Sequence, residues 1–349
     1  MEHSREPLLT IKRLEVFFPV KSENLFDLRK RYVRAVNDVN LTVYRGETLG
    51  LVGESGCGKT TLGKSVLQLI PPTGGEVVYH SRDGAARDLC KLSRREMNAL
   101  RAKLQIVFQD PYSSLNPAFT IYQSMADPLA KFGYRTREAR RKVIADILTE
   151  VNMRPEYMDR YPDEFSGGQR QRIGIARALS VQPELVVCDE AVSALDVSIQ
   201  AQVLNLLKEL KRQRQLTYIF ITHDLSVVEY VSDRIAVMYL GKIVELAAAE
   251  DLYRNTAHPY SRALLSAIPV VDVDRRKRRM LLKGDVPSPI DLPPGCGFQG
   301  RCPHCEDICR IESPELRRFE TDGREHHVAC HFAERFLGGA GRRGNGDGT

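Results

Sequence analysis

Two stretches of this sequence carry residue types and spacings suited to phosphate chemistry. The first is Gly53-Glu54-Ser55-Gly56-Cys57-Gly58-Lys59-Thr60, followed by Thr61. It fits the G-x4-G-K-[ST] phosphate-loop pattern and stands between an apolar strand-like run and a helix-like one. Glycines let backbone N–H groups curl around a phosphate, and a helix N-terminus behind them adds positive potential. Lys59 would bridge the β- and γ-phosphates of a nucleoside triphosphate, and the Thr60 hydroxyl would ligate magnesium. Gly53, Ser55, Gly56, Gly58, Lys59, Thr60 and Thr61 are thus candidate nucleotide-binding positions. Cys57 sits at a variable position and needs no role. By residue frequencies the pattern arises by chance in a chain this long with a probability on the order of 1%. The second stretch is Asp189-Glu190, which ends the apolar run Leu185-Val186-Val187-Cys188. Two acids at the C-terminal edge of a strand lie where α/β folds bind ligands. Asp189 would hold magnesium, usually through water, and Glu190 would polarise an attacking water as general base. Alone, the dipeptide would equally make a turn or a helix cap. The phosphate loop in the same chain favours the catalytic reading.

Phe165-Ser166-Gly167-Gly168-Gln169 adds a second possible anion site: Ser166 can cap the helix-like run after it, and the glycines let amides approach a phosphate. This stretch resembles the signature motif of ATP-binding-cassette proteins. Other stations of that family follow in register. Gln109 matches the Q-loop, which the family also gives a magnesium contact. Ser193-Ala194-Leu195-Asp196 matches the D-loop, and His223 after Ile221-Thr222 matches the switch histidine. Phe17 fits the aromatic position that stacks on adenine, with Phe18 as the alternative. The resemblance implies magnesium-dependent ATP hydrolysis by two domains paired head to tail, the signature of one (Ser166, Gly167, Gly168, Gln169, with Asp196) closing on ATP held by the other. Where the family commonly has proline after the catalytic glutamate, this chain has Ala191, which could loosen that turn.

Three stretches narrow the resemblance to ATPase subunits of dipeptide and oligopeptide importers, particularly the second of the two such subunits. They are Phe108 to Pro117, His258-Pro259-Tyr260, and a C-terminal group of cysteines spaced C-x5-C-x2-C-x3-C-x20-C. Similarity to those importers picks out Cys296, Cys302, Cys309 and Cys330 and leaves Cys305 supernumerary. Four thiolates can hold a [4Fe-4S] cluster, and the same sulfurs could bind zinc, aided by His304, His327 or His331, or remain reduced thiols. The implied partners are a second ATP-binding subunit, more often a different chain, two integral membrane permeases, and through them an extracytoplasmic solute-binding protein. The implied location is the cytoplasmic face of the cell membrane. The alternative is an ABC-superfamily ATPase acting on ribosomes or DNA. Those usually carry two cassettes or long coiled coils, whereas this chain has one phosphate loop, one signature and no sustained heptads.

The elements that must position these residues are legible as runs. Strand-like stretches cover Leu9 to Phe18, Val39 to Val43, Thr48 to Val52, Glu76 to His80, Leu104 to Phe108, Leu185 to Cys188, Tyr218 to Thr222, Arg234 to Leu240 and Lys242 to Glu245. Helix-like stretches cover Lys59 to Ile70, Thr136 to Val151, Gln169 to Ser180 and Ile199 to Arg212. Their alternation predicts a parallel sheet covered on both faces. The expected fold is an α/β, RecA-like core with an antiparallel β subdomain, an inserted helical subdomain at about 110–183, and a small Cys-rich extension. The expected division is 1–257 for the nucleotide-binding domain, 258–335 for the extension and 336–349 for a disordered tail, with the Pro-rich stretch Pro287 to Pro294 as a linker. The 349 residues, 42% of them hydrophobic, suffice for one large core. A formal charge of +6 is too mild to imply nucleic acid, and the basic run Arg275 to Arg279 reads as a solvated linker face rather than a lipid contact. No apolar stretch approaches the ~18 residues of a membrane span, and the charged start lacks a secretory h-region.

Overall fold

Strands β3 (Thr48–Val52), β7 (Leu185–Asp189) and β8 (Thr217–Ile221) are buried at every residue, as continuous apolar runs must be in a sheet covered on both faces. They belong to a sheet of order β11-β12-β10-β9-β3-β8-β7-β6. Its parallel part runs β9-β3-β8-β7-β6, where β6 is Leu104–Val107 and β9 is Arg234–Tyr239. The antiparallel part is β10 (Lys242–Ala248), β12 (Arg324–Val328) and β11 (Arg317–Thr321). The computed structural model describes residues 6–20, 31–110, 112, 114–267, 284, 287–290 and 292–337. The basic run at 275–279, the expected tail beyond 337, and positions 111, 113 and 291 fall outside the described residues, while 336 and 337, expected in the tail, end a short helix.

A second sheet, β2-β1-β4-β5, is the expected antiparallel subdomain: β1 (Pro7–Val20), β2 (Arg31–Tyr44), β4 (Gly74–His80) and β5 (Ala86–Asp88). β2 begins well before the expected Val39, because its polar N-terminal half pairs with β1 through Phe17↔Arg34 and Val20↔Arg31. Backbone pairing, invisible to hydrophobic periodicity, carries that half. Helix α1 (Lys59–Val66) stops short of the expected Ile70: Gln68 takes a left-handed φ of 54°, so the chain turns before the prolines are reached. Helix α2 (Arg94–Leu100) lies in the polar stretch before β6 and begins with a Ser93/Glu96 capping box.

The inserted helical unit holds α3 (Ile121–Lys131), α4 (Arg137–Glu150) and α5 (Gly167–Leu179). Ile121, Met125, Leu129, Ile144, Leu148 and Ile173 from these helices share one core with Val186 and Cys188 of β7. This apolar continuity fixes the insert against the strand that ends in Asp189 and Glu190. Helices α6 (Val197–Arg214) and α7 (Leu225–Val231) complete the layer there. After β10 come α8 (Ala249–Arg254) and α9 (Pro259–Ser266), and the extension adds α10 (Asp307–Ile311) and α11 (Glu334–Leu337). Through β12 and β11 the extension joins the main sheet rather than hanging from it. Its anchor is a fully buried pair: Glu245 on β10 meets His326 Nε2 at 2.8 Å and accepts from the backbone N–H of Ala257 at 2.7 Å and of His258 at 3.1 Å.

Candidate functional site

The parallel strands deliver the candidate residues to one edge, since β3, β6, β7 and β8 run in the same direction and Gly53, Gln109, Asp189 and His223 all lie at or just beyond their C-terminal ends. Such an edge is where open α/β sheets bind ligands. Two glycines are obligatory in the loop after β3. Gly53 has φ 154°, and a Cβ there would meet the Met238 carbonyl oxygen at 2.2 Å; Gly58 has φ 106°, and a Cβ would meet the Ala35 carbonyl oxygen at 1.9 Å. Lys59 is buried inside this loop, its Nζ donating to the carbonyls of Gly53 at 2.8 Å and Glu54 at 3.0 Å, with Cys57 Sγ at 3.7 Å. Ser55 and Gly56 are exposed at the loop's crown, and Thr61 follows Thr60 into the first turn of α1.

Asp189 is 4% exposed and accepts from Thr60 Oγ1 at 2.7 Å, with Lys64 Nζ at 3.8 Å from its other oxygen. Two of the three expected magnesium ligands thus touch each other, a hard-oxygen pair that fits that cation, whereas the third, Gln109, is bonded to Glu190. The neighbouring Glu190 has φ 48°, a left-handed turn that re-aims its side chain as the strand ends. That turn is tied down by Glu190 N–H donating to Ile221 O at 2.9 Å and by Ser193 Oγ donating to Glu190 O at 3.0 Å. Ala191, in the place of the family's proline, is buried, so packing and these bonds hold the turn. Glu190 is also where the other candidates converge. Gln109 Nε2 donates to Oε2 at 3.0 Å, and His223 Nδ1 stands 3.4 Å from Oε1.

The remaining candidates make no hydrogen bond to this group among the described residues. Ser166 caps α5 by accepting from the Gln169 N–H, while the Gln169 side chain accepts from the Ser166 N–H. Gly168 packs against Ile199, where an added Cβ would come within 2.5 Å of its side chain. Among the described residues this signature segment makes no hydrogen bond to the Gly53–Thr60 loop. Asp196 caps α6, accepting from Ile199 N–H at 2.9 Å and Ser198 Oγ at 2.7 Å, which holds its carboxyl below the usual range. Phe17 lies on the antiparallel sheet under the Arg34 guanidinium, 5.7 Å from its ring centre, and Phe18 beside it is more exposed.

In the extension, Cys296, Cys302, Cys309 and Cys330 line one small apolar pocket with His258, Phe298, His304, His331 and Phe336, and Cys305 is not part of it. Burial pushes the Cys296 thiol up to about 12, the Cys302 thiol up to about 11, and the Cys330 thiol upward. Among the described residues, however, no three His, Cys, Asp or Glu side chains stand grouped so as to hold a metal ion. His327 lies outside the pocket, and His331 Nε2 is spent on the Glu312 carbonyl at 3.0 Å.

Residues 36–193 match the ABC transporter family model, and residues 244–309 match the oligopeptide/dipeptide transporter C-terminal region. The chain is 48% identical to the putative oligopeptide transport ATP-binding protein YkfD of Bacillus subtilis, covering 94% of this chain and 96% of that one. It is 45% identical to the oligopeptide transport ATP-binding protein AppF of the same organism, covering 94% and 98%. The chain belongs to the ATP-binding subunits of ABC transporters. Among solved structures, the ATP-binding cassette MJ0796 in a dimeric post-hydrolysis state with ADP and Pi is similar at TM-score 0.59 and 28% identity, over 69% of this chain and 98% of that one. The ABC subunit described here is therefore an ATPase of RecA-like core, and no helix among its described residues is long and apolar enough to cross a membrane.

Three participants escaped the sequence reading of this ABC subunit. Lys64 reaches Asp189 one helical turn beyond the motif, a spacing that could have suggested it. Tyr260 Oη accepts from the Glu54 N–H at 2.8 Å, and Arg301 makes a bidentate pair with the Glu54 carboxylate at 2.7 and 3.0 Å. Separations of 206 and 247 residues leave no local signal for those contacts.

Proposed function

We propose that this subunit hydrolyses ATP in the crevice between the Gly53–Thr60 loop and Glu190, and that the hydrolysis drives peptide import through a pair of membrane permeases. The observation that carries the reading is the convergence of Gln109 and His223 on the Glu190 carboxylate, next to the Thr60–Asp189 pair. Loop amides and Lys59 bind the phosphates; Glu190 accepts the proton of the attacking water; Gln109 orients that carboxylate, and His223, beside the same carboxylate, would meet the γ-phosphate. Magnesium, when bound, would be held by Thr60 and Asp189, with Gln109 as the further ligand the family implies, and would neutralise charge on the phosphates. Ser166 to Gln169 and Asp196 serve the nucleotide of a second ATP-binding subunit, in keeping with their purely local hydrogen bonds among the described residues, and Phe17 stacks on adenine. The exposed aromatic residues Phe108, Tyr112 and Phe119, on either side of Gln109 in the chain, suit a permease contact at the cytoplasmic face of the membrane. An ABC ATPase acting on ribosomes or DNA is disfavoured by the match to the oligopeptide/dipeptide C-terminal region.

Vesicles containing the permeases and this subunit, supplied with a binding protein loaded with labelled peptide, test the reading. ATP-dependent uptake that disappears with Lys59→Ala is the expected result; peptide-independent ATPase with no uptake would contradict it.

For the cysteines we propose an iron–sulfur cluster on Cys296, Cys302, Cys309 and Cys330. In support, four of the five local thiols line one pocket. Anaerobically purified protein should contain iron and acid-labile sulfide; zinc without iron, or neither, would contradict this.

A further inference from the structure

Glu54, an unspecified position within the phosphate-loop pattern, is held at three points. Its N–H donates to Tyr260 Oη at 2.8 Å, its carbonyl accepts from Lys59 Nζ at 3.0 Å, and its carboxylate receives the two-pronged Arg301 guanidinium. Two of these contacts come from outside the ATP-binding core. Tyr260 is fully buried on α9, and Arg301, with a side chain 9% exposed, precedes Cys302 in the extension. Tyr239, Tyr260 and Phe298 pack ring against ring with centroids 4.5 to 5.5 Å apart, and Phe298 also lines the cysteine pocket. The Arg301 guanidinium lies 6.0 Å from the Tyr239 ring centre, so its fork is aimed by packing as well as by charge.

From this arrangement we propose that Arg301 and Tyr260 are positioning residues of the nucleotide site: the cysteine-bearing extension shapes the phosphate loop through Glu54 and sets its affinity for ATP. The physical reason is twofold. A forked, largely buried Arg–carboxylate pair fixes orientation as well as position. It also cancels a negative charge in a loop that must receive a polyanion, in surroundings where charge is poorly screened. Because Lys59 rests on the Glu54 carbonyl, a shift of Glu54 moves the ammonium that meets the phosphates.

The inference rests on the Gly53–Thr60 loop being the ATP site, and a binding titration separates the two. Equilibrium binding of a fluorescent ATP analogue to the full chain is measured for the wild type, Lys59→Ala, Arg301→Ala, Glu54→Gln and the Arg301→Ala/Glu54→Gln double variant, with thermal unfolding monitored in parallel. Lys59→Ala should abolish binding; if it does not, the site assignment itself fails. With that control in place, Arg301→Ala should raise Kd about 10-fold in the wild-type background and less than about 2-fold in the Glu54→Gln background, because both changes remove the same contact. In the assembled transporter the change should appear in KM for ATP with kcat nearly unchanged, and Arg301→Lys should restore part of it. An unchanged Kd, or the same factor in both backgrounds, would overturn the proposal. Should Arg301→Ala fail to fold, Tyr260→Phe removes only a hydroxyl and is expected to raise Kd about 3-fold; no change there would overturn the proposal equally.

Discussion

At the scale of single residues, the proposed site divides into groups that would bind and groups that would react. Thr60, Asp189 and Lys64 form a binding set, since the Asp189 carboxylate is buried between a hydroxyl and an ammonium. Asp189→Asn keeps the size and removes the charge. It should weaken magnesium-dependent ATP binding at least about 10-fold while leaving metal-free nucleotide binding nearly intact, as titrations with and without magnesium would record. In the proposed mechanism Gln109, Glu190 and His223 form the reacting set. Their residue types and family register were readable in the sequence, but their meeting at one carboxylate was not. It depends on three strand ends brought side by side and on the left-handed turn at Glu190, which no propensity assigns to glutamate. Arg301 was not readable at all, and Tyr260 was legible only as part of the His258-Pro259-Tyr260 stretch, because the reach of both to Glu54 depends on the rings packed around them.

At the scale of elements, the buried strands β3, β7 and β8 were legible to within a residue, because an apolar run between turn residues has few other uses in a domain of this size. The polar half of β2 and the strands β11 and β12 were missed: their side chains alternate weakly, and cross-strand pairing decides them. The start of α9 carries a pH consequence. His258 caps that helix, its Nδ1 accepting the Tyr260 N–H at 3.1 Å, and burial drives its imidazole down to about 4 against a weaker upward pull from Glu245. Between the unfolded value near 6.5 and about 4, the unfolded chain binds a proton that the folded chain excludes. Stability from this group is therefore full above about 6.5 and falls as pH drops through the window, by on the order of 3 kcal/mol in all. His258→Asn keeps a capping oxygen without the titration. It should flatten this part of the profile of Tm against pH, and an equally steep profile would contradict the assignment.

At the scale of the whole molecule, the expected layers are present: a RecA-like sheet, an antiparallel β subdomain and an inserted helical unit whose core runs into β7. The boundary expected at 257–258 falls between α8 and α9, yet the extension continues the main sheet through β12 and reaches back to the phosphate loop. Sequence order suggested an appendage; the Glu245–His326 pair and the Glu54–Arg301 pair make it a wall of the core. The signature helix, by contrast, is capped locally by Ser166 and Gln169 and makes no hydrogen bond to the phosphate loop among the described residues.

In the proposed mechanism Glu190 is the base beside a loop that binds ATP without it. Turnover and ATP affinity, measured together on the Glu190→Gln form of the assembled transporter, test this most directly. The prediction is a fall in phosphate release of at least about 100-fold, with ATP affinity within a few-fold of the wild type. Phosphate release near the wild-type rate, or loss of ATP binding along with turnover, would contradict it.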